Sequence, residues 1–220
     1  MRGPGGVRLA VGIALAASLI VGAGLLHAGF RARLGRGPSE ELLYYPSGFL
    51  ANQASLGYET AAADLAWLRA IQYYGEHRMT DQKYDRIAQL MQIVTELDPR
   101  FIQPYVFGAF VTAQEMRQPE RGLDLLERGL RANPDNWELA FKIGFLHYVC
   151  THDVPAAARY FTWAARMPGH AEYVERFAAF ANQRAGNTEV AILLWKEILA
   201  NGNEYMQDVA RHELLRLEAL

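Results

Sequence analysis

Three prolines break this chain at nearly equal intervals, and each break has the chemistry of a helix stop. They lie in "ELDPRF" (Asp98, Pro99), "RANPDN" (Asn133, Pro134) and "ARMPGH" (Met167, Pro168), 35 and 34 residues apart. A proline inside a helix removes a backbone donor and clashes with the preceding turn, so a helix approaching it ends. After the second stop, Asp135 and Asn136 offer side chains that can cap a new helix. One such stop is a loop, but recurrence at a fixed period means helix pairs stacked into an array. From Leu42 onward apolar residues recur at spacings of three and four, and no stretch alternates for long enough to be a strand. The expected fold class is all-α.

Between the stops a second pattern repeats. "DVPAAARYFTWA" places Ala157, Phe161 and Ala164 at spacings of four and three, and "GNTEVAILLWKEI" does the same with Ala191, Trp195 and Ile198. Residues so spaced share one helix face, where the small side chain admits a neighbouring helix and the aromatic fills the gap. Asp153 before Val154 and Pro155, and Pro119 before Glu120, supply start signals for the second helix of a pair.

At these positions the chain resembles the tetratricopeptide repeat family, whose 34-residue helix-turn-helix unit carries W-x2-L-G-x2-Y, A-x3-F and a closing P. The second unit, Gln103 to Pro134, has Gly122, Leu126, Gly129 and Pro134 at the second-helix and closing positions. The third, Trp137 to Pro168, sets Gly144 and His147 at the family's Gly and Tyr. The fourth, Glu172 to Asn201, has Ala179 in place of the glycine. The first, Asp64 to Pro99, shows Trp67 and Tyr74, then an apparent insertion at "GEHRMTDQ", with Ile87 and Met91 where Ala and Phe are expected. The resemblance implies a right-handed α-solenoid of about four degenerate pairs. The amphipathic "EYMQDVARHELLRLEAL" would form its C-terminal capping helix.

Ahead of the array, Leu9 to Phe30 runs 22 residues without a charge. As a helix it would be about 33 Å long, enough to cross a bilayer core. It reads as a single transmembrane anchor, with a cleaved signal peptide as the alternative. No cysteine stands near its end to accept a lipid. Arg2 and Arg8 precede it and Arg31, Arg33 and Arg36 follow, so the flanking charges barely orient it. A short basic tail ordinarily stays in the cytoplasm, which would put the repeats on the periplasmic side of the inner membrane. The expected domains are 1–36 (tail, anchor and basic flank), 37–63 (linker and an irregular segment with Tyr44, Tyr45, Phe49 and Tyr58) and 64–220 (repeats and cap).

Chemistry is sparse. With 21% charged residues and a formal net charge of -2, the chain lacks the basic excess of a nucleic-acid binder. Its one cysteine excludes an internal disulfide framework. "HYVCTHD" gathers His147, Cys150, His152 and Asp153, which leaves a metal-dependent or enzymatic accessory protein as a competing reading. His147 and Cys150 would share a helix face, but His152 would lie beyond the helix end, so no preformed tetrahedral site is expected there. His77 is expected in a polar turn. No phosphate-binding loop, nucleophile elbow or zinc-protease helix is present, and no cofactor is expected.

What remains is the concave face of a stacked array, lined mainly by the first helix of each pair. The registration above puts there Phe107 and Val111, then Phe141, Phe145 and Tyr148, then Arg176, Phe180 and Arg184, with Ala140 and Gly144 facing inward. Family members that clamp a C-terminal carboxylate use Lys and Asn at such positions, and here aromatic and aliphatic residues stand instead. The partner expected is a peptide or helix of another protein. The competing use of the aromatics is packing within the chain itself, including against Leu42 to Tyr58.

Overall fold

The computed structural model describes residues 55–219, together with Ser18, Val21, Gly22, Gly24 and Leu25. Those five isolated positions are helical; the rest of the 1–36 anchor region and most of the 37–63 segment lie outside the described residues. Backbone contacts divide the chain into Met1–Pro46 and Ser47–Leu220. Among the described residues no strand occurs, and no helix is long and apolar enough to cross a membrane.

The second unit is a succession of helices: α1 Glu59–Met79, α2 Ile87–Leu97, α3 Ile102–Phe110, α4 Pro119–Ala132, α5 Trp137–Leu146, α6 Val154–Arg166, α7 Glu172–Arg184, α8 Thr188–Asn201 and α9 Glu204–Glu218. α3 and α5 each run on into one wide π turn, Val111–Glu115 and His147–Thr151. Every helix packs on the next in the chain, and α3 also touches α5. The proline stops separate α2 from α3, α4 from α5 and α6 from α7, so each falls between pairs. Two of them also meet in space, because Asn133 Nδ2 donates to the Pro99 carbonyl at 2.8 Å.

Within the pairs a different signal repeats. Gln82, Arg117, His152 and Gly186 all adopt left-handed backbone, with φ of 56°, 55°, 56° and 81°. They are 35, 35 and 34 residues apart. Such a residue ends a helix by reversing the chain onto its last carbonyls. Gln118, Asp153 and Asn187 accordingly donate their N–H groups to the carbonyls of Thr112, His147 and Asn182. Five residues later, in all four pairs, comes the first of three inward residues of the second helix: Ile87, Met91 and Val94; Gly122, Leu126 and Gly129; Ala157, Phe161 and Ala164; Ala191, Trp195 and Ile198. All twelve are buried, and the ten that are not glycine have no exposed surface.

This register corrects the first pair. "GEHRMTDQ" is not an insertion between helices; α1 continues through Met79, and the reversal at Gln82 then stands at the common distance from Ile87. His77 therefore lies on α1 and not in a turn. It is buried against the Tyr73 ring, with Nδ1 2.6 Å from Asp81 Oδ1. α1 also begins at Glu59, ahead of the expected start at Asp64.

Helices approach closely where side chains are small. A Cβ on Gly144 would lie 2.9 Å from Phe161 Cδ1 and 3.2 Å from the Ala157 carbonyl, and one on Gly129 would lie 2.7 Å from Tyr105 Cγ. Caps set the helix starts, with Asn136, Asp153 and Asn203 accepting from the N–H groups of Leu139, Ala156 and Met206. A buried polar link ties α6 to α7, where Asn182 Nδ2 donates to Thr162 Oγ1 at 2.8 Å and its Oδ1 accepts from Asn187. Both ends of that amide are satisfied, which removes the penalty of burying it. At the C-terminal end Met206, Ala210, Leu214 and Leu217 of α9 cover Ala191, Trp195 and Ile198 of α8.

Candidate functional site

The side chains expected to line a groove do not share one environment. Val111 and Phe141 are each only 4% exposed, too little to meet a partner directly. Phe141 is the hub of an aromatic core, with ring centroids 5.1 Å from Phe161, 5.3 Å from Tyr173 and 5.2 Å from Phe177. Phe107 is half-buried and meets Trp67 and Tyr74 of α1 edge-on, at 5.5 and 5.0 Å. Phe107 thus joins α3 to α1 and Phe141 joins α5 to α6 and α7, while Val111 is buried in the turn that follows α3.

The misplacement in α3 has a definite cause. The left-handed residues Arg117 and His152 set a 35-residue register, in which Phe110, not Val111, corresponds to Phe145. Phe110 and Phe145 are both half-buried, with centroids 5.9 Å apart. The Lys142 ammonium lies 5.8 Å from the centroids of both Phe110 and Phe141. A cation over an aromatic face is held by the ring's quadrupole.

The remaining candidates form a strip across α5, α7 and α9. Arg184 donates to the Tyr148 hydroxyl at 2.7 Å and stands over that ring, 5.6 Å from its centroid. Arg176 donates to the Tyr205 hydroxyl at 3.4 Å. Phe180 lies one helical turn from each arginine, packs edge-on against Trp195 at 4.8 Å and remains 36% exposed. Phe145, three residues before Tyr148, is half-buried against Phe110 and Phe141. Phe110, Lys142, Tyr173, Phe177 and Tyr205 escaped the sequence reading. The first was recoverable from the 35-residue register, whereas Tyr205 sits in the stretch assigned to the cap and only packing brings it to Arg176.

The residues of the histidine cluster have separate surroundings. His147 stacks on Tyr160 at 5.7 Å with its Nδ1 3.2 Å from Thr151 Oγ1, and burial lowers its pKa. Cys150 is half-buried, and burial pushes its thiol up, away from the reactive thiolate. His152 is exposed on the left-handed turn. Among the described residues no group of three His, Cys, Asp or Glu side chains is placed to hold a metal ion.

His170, in the turn after the third stop, is the most strongly engaged histidine. Its Nδ1 lies 2.7 Å from the Met167 carbonyl and its Nε2 3.0 Å from Glu175 Oε1. Burial opposes its charge, but the bonds to Glu175 and Met167 prevail and raise its pKa. Neither a scan against protein-family models nor a search of curated proteins found a match to the chain.

Proposed function

We propose that the chain is a membrane-tethered scaffold that binds a peptide or helix of an envelope partner. In this reading the charge-free N-terminal run is a single-pass anchor in the inner membrane. The helix pairs are degenerate tetratricopeptide-like units of a right-handed solenoid on its extracytoplasmic side. The shared register of reversal and buried triplet supports the array. The binding surface is carried by one observation: Arg184–Tyr148 joins α7 to the π turn after α5 and Arg176–Tyr205 joins α7 to α9, with Phe180 partly open between the two arginines. The groove is thus narrower than the eight residues expected, and consists of Phe145, Tyr148, Arg176, Phe180 and Arg184, extended by Tyr205. No catalytic step and no cofactor enter this reading, and fold alone does not name the partner.

The test is crosslinked recovery of partners from membranes, comparing the full chain with Phe180→Ala and Arg184→Gln. Truncating a central anchor should weaken binding by about 1–4 kcal/mol. Recovery unchanged in both variants, with melting temperatures also unchanged, would remove the strip from the binding surface.

A further inference from the structure

We infer that the strip takes an acidic partner: an internal segment whose carboxylates flank an apolar side chain, with no need of a free C-terminus. This rests on the binding reading above and specifies its ligand.

Two arginine–tyrosine couples carry the argument. In each, the guanidinium donates to the tyrosine oxygen, which leaves the tyrosine's own O–H to be donated elsewhere. Among the described residues nothing accepts from the Tyr148 or Tyr205 hydroxyl, and no carboxylate lies within 4.0 Å of Arg176, Arg184 or Lys142. Among the described residues each couple therefore presents a positive charge with no carboxylate partner and a hydroxyl proton with no acceptor. Arg128, Arg131 and Arg211, by contrast, have carboxylate partners in Asp124, Glu127 and Asp208.

Three acids near the strip already accept from other groups. Glu172 accepts from Asn203, Glu175 from His170, and Glu213 from Gln183 and Arg216. The surface is thus rich in donors and poor in acceptors. Carboxylates meet such donors in charge-assisted bonds, for which a planar guanidinium is well suited. Arg176, Phe180 and Arg184 follow one another at four-residue intervals along α7, so the apolar contact lies between the two charges. A ligand that matches must carry acid, apolar and acid groups in that order. Lys142, held over Phe110 and Phe141, adds a third cation on the α5 side.

The experiment uses the purified full chain in detergent and a displayed library of random peptides fused at both ends, so that no terminal carboxylate is offered. Selected peptides should be acidic, with an apolar residue between acids. Their retention should fall about tenfold or more in Arg176→Gln/Arg184→Gln, as loss of a buried charge partner does. Arg159→Gln/Arg166→Gln on α6 should leave it unchanged. Selection of neutral or basic peptides, or equal retention by the α7 double variant, overturns the acidic assignment and leaves the scaffold intact. Failure to select any peptide overturns the binding reading as well. Should the double variant melt early, Tyr148→Phe and Arg184→Lys read the same bonds with smaller perturbation: retention unmoved by both counts against the proposal.

Discussion

At His152 the backbone holds a side-chain-bearing residue at φ 56°, where a Cβ crowds the carbonyl and ordinarily only glycine is comfortable. The fourth pair has Gly186 at the corresponding place, which shows what the geometry prefers. Because the His152 side chain is exposed, His152→Gly removes strain without removing packing, and should raise stability by about 0.5–1 kcal/mol. A denaturant midpoint that moves down instead would mean the turn is held by the histidine itself. Two other histidines give stability opposite pH slopes. His170, charged by its two acceptors, has a pKa raised above 6.5; its contribution is complete below 6.5 and is lost as pH rises through the raised value. His147, kept neutral by burial, has a lowered pKa; its contribution is complete above 6.5 and is lost as pH falls towards the lowered value. These two groups therefore draw the melting temperature down on opposite sides of 6.5, and His170→Gln should flatten the alkaline side alone.

Between elements, closeness of approach sets the energetics. Ala157 has no exposed surface, and its carbonyl lies 3.2 Å from where a Gly144 Cβ would stand. Ala157→Leu should overpack the α5–α6 contact and cost on the order of 1–3 kcal/mol, read by thermal melting. An unchanged melting temperature would refute the pairing. Phe141, surrounded by Phe161, Tyr173 and Phe177, should lose about 3–5 kcal/mol on truncation to alanine, whatever it does to binding. The buried triplets were legible because spacings of four and three survive in any straight helix. The outward face of α3 was not, since every position offset rotates the assignment by about 100°. Val111 stood in for Phe110 on that account. Aromatic residues on both faces of α3 and α5 hid the error.

At the scale of the molecule, the proposed solenoid of stacked pairs would leave each end to be covered. α9 closes one end by covering Trp195 and Ile198. Removing residues 203–220 should expose that cluster, and the truncated chain should aggregate or lose its cooperative transition; a soluble, sharply melting product would show that α8 needs no cap. The break after Pro46 separates the first unit by contacts. Removing residues 1–36 should leave a strongly helical, monomeric chain, checked by circular dichroism and gel filtration; aggregation relieved only by detergent would count against an anchor that is separate from the fold.

Local chemistry in the chain was enough to establish the all-helical class, the places where helices stop, and which second-helix residues turn inward. Those properties depend on backbone preference and on periodicity within one helix, and both are written in contiguous residues. The sequence could not show that α1 extends through "GEHRM", because helix and polar turn are both compatible with that composition and burial of His77 and Tyr84 decides between them. Nor could it separate aromatics that join helices from aromatics left open. Phe141 and Phe145 are four apart on one helix, and the arrival of Phe161 from α6 and of Tyr173 and Phe177 from α7 buries the first while the second stays half-open. The arginine–tyrosine couples are likewise products of packing, since Tyr148 and Arg184 are 36 residues apart and meet only because the π turn after α5 comes against α7.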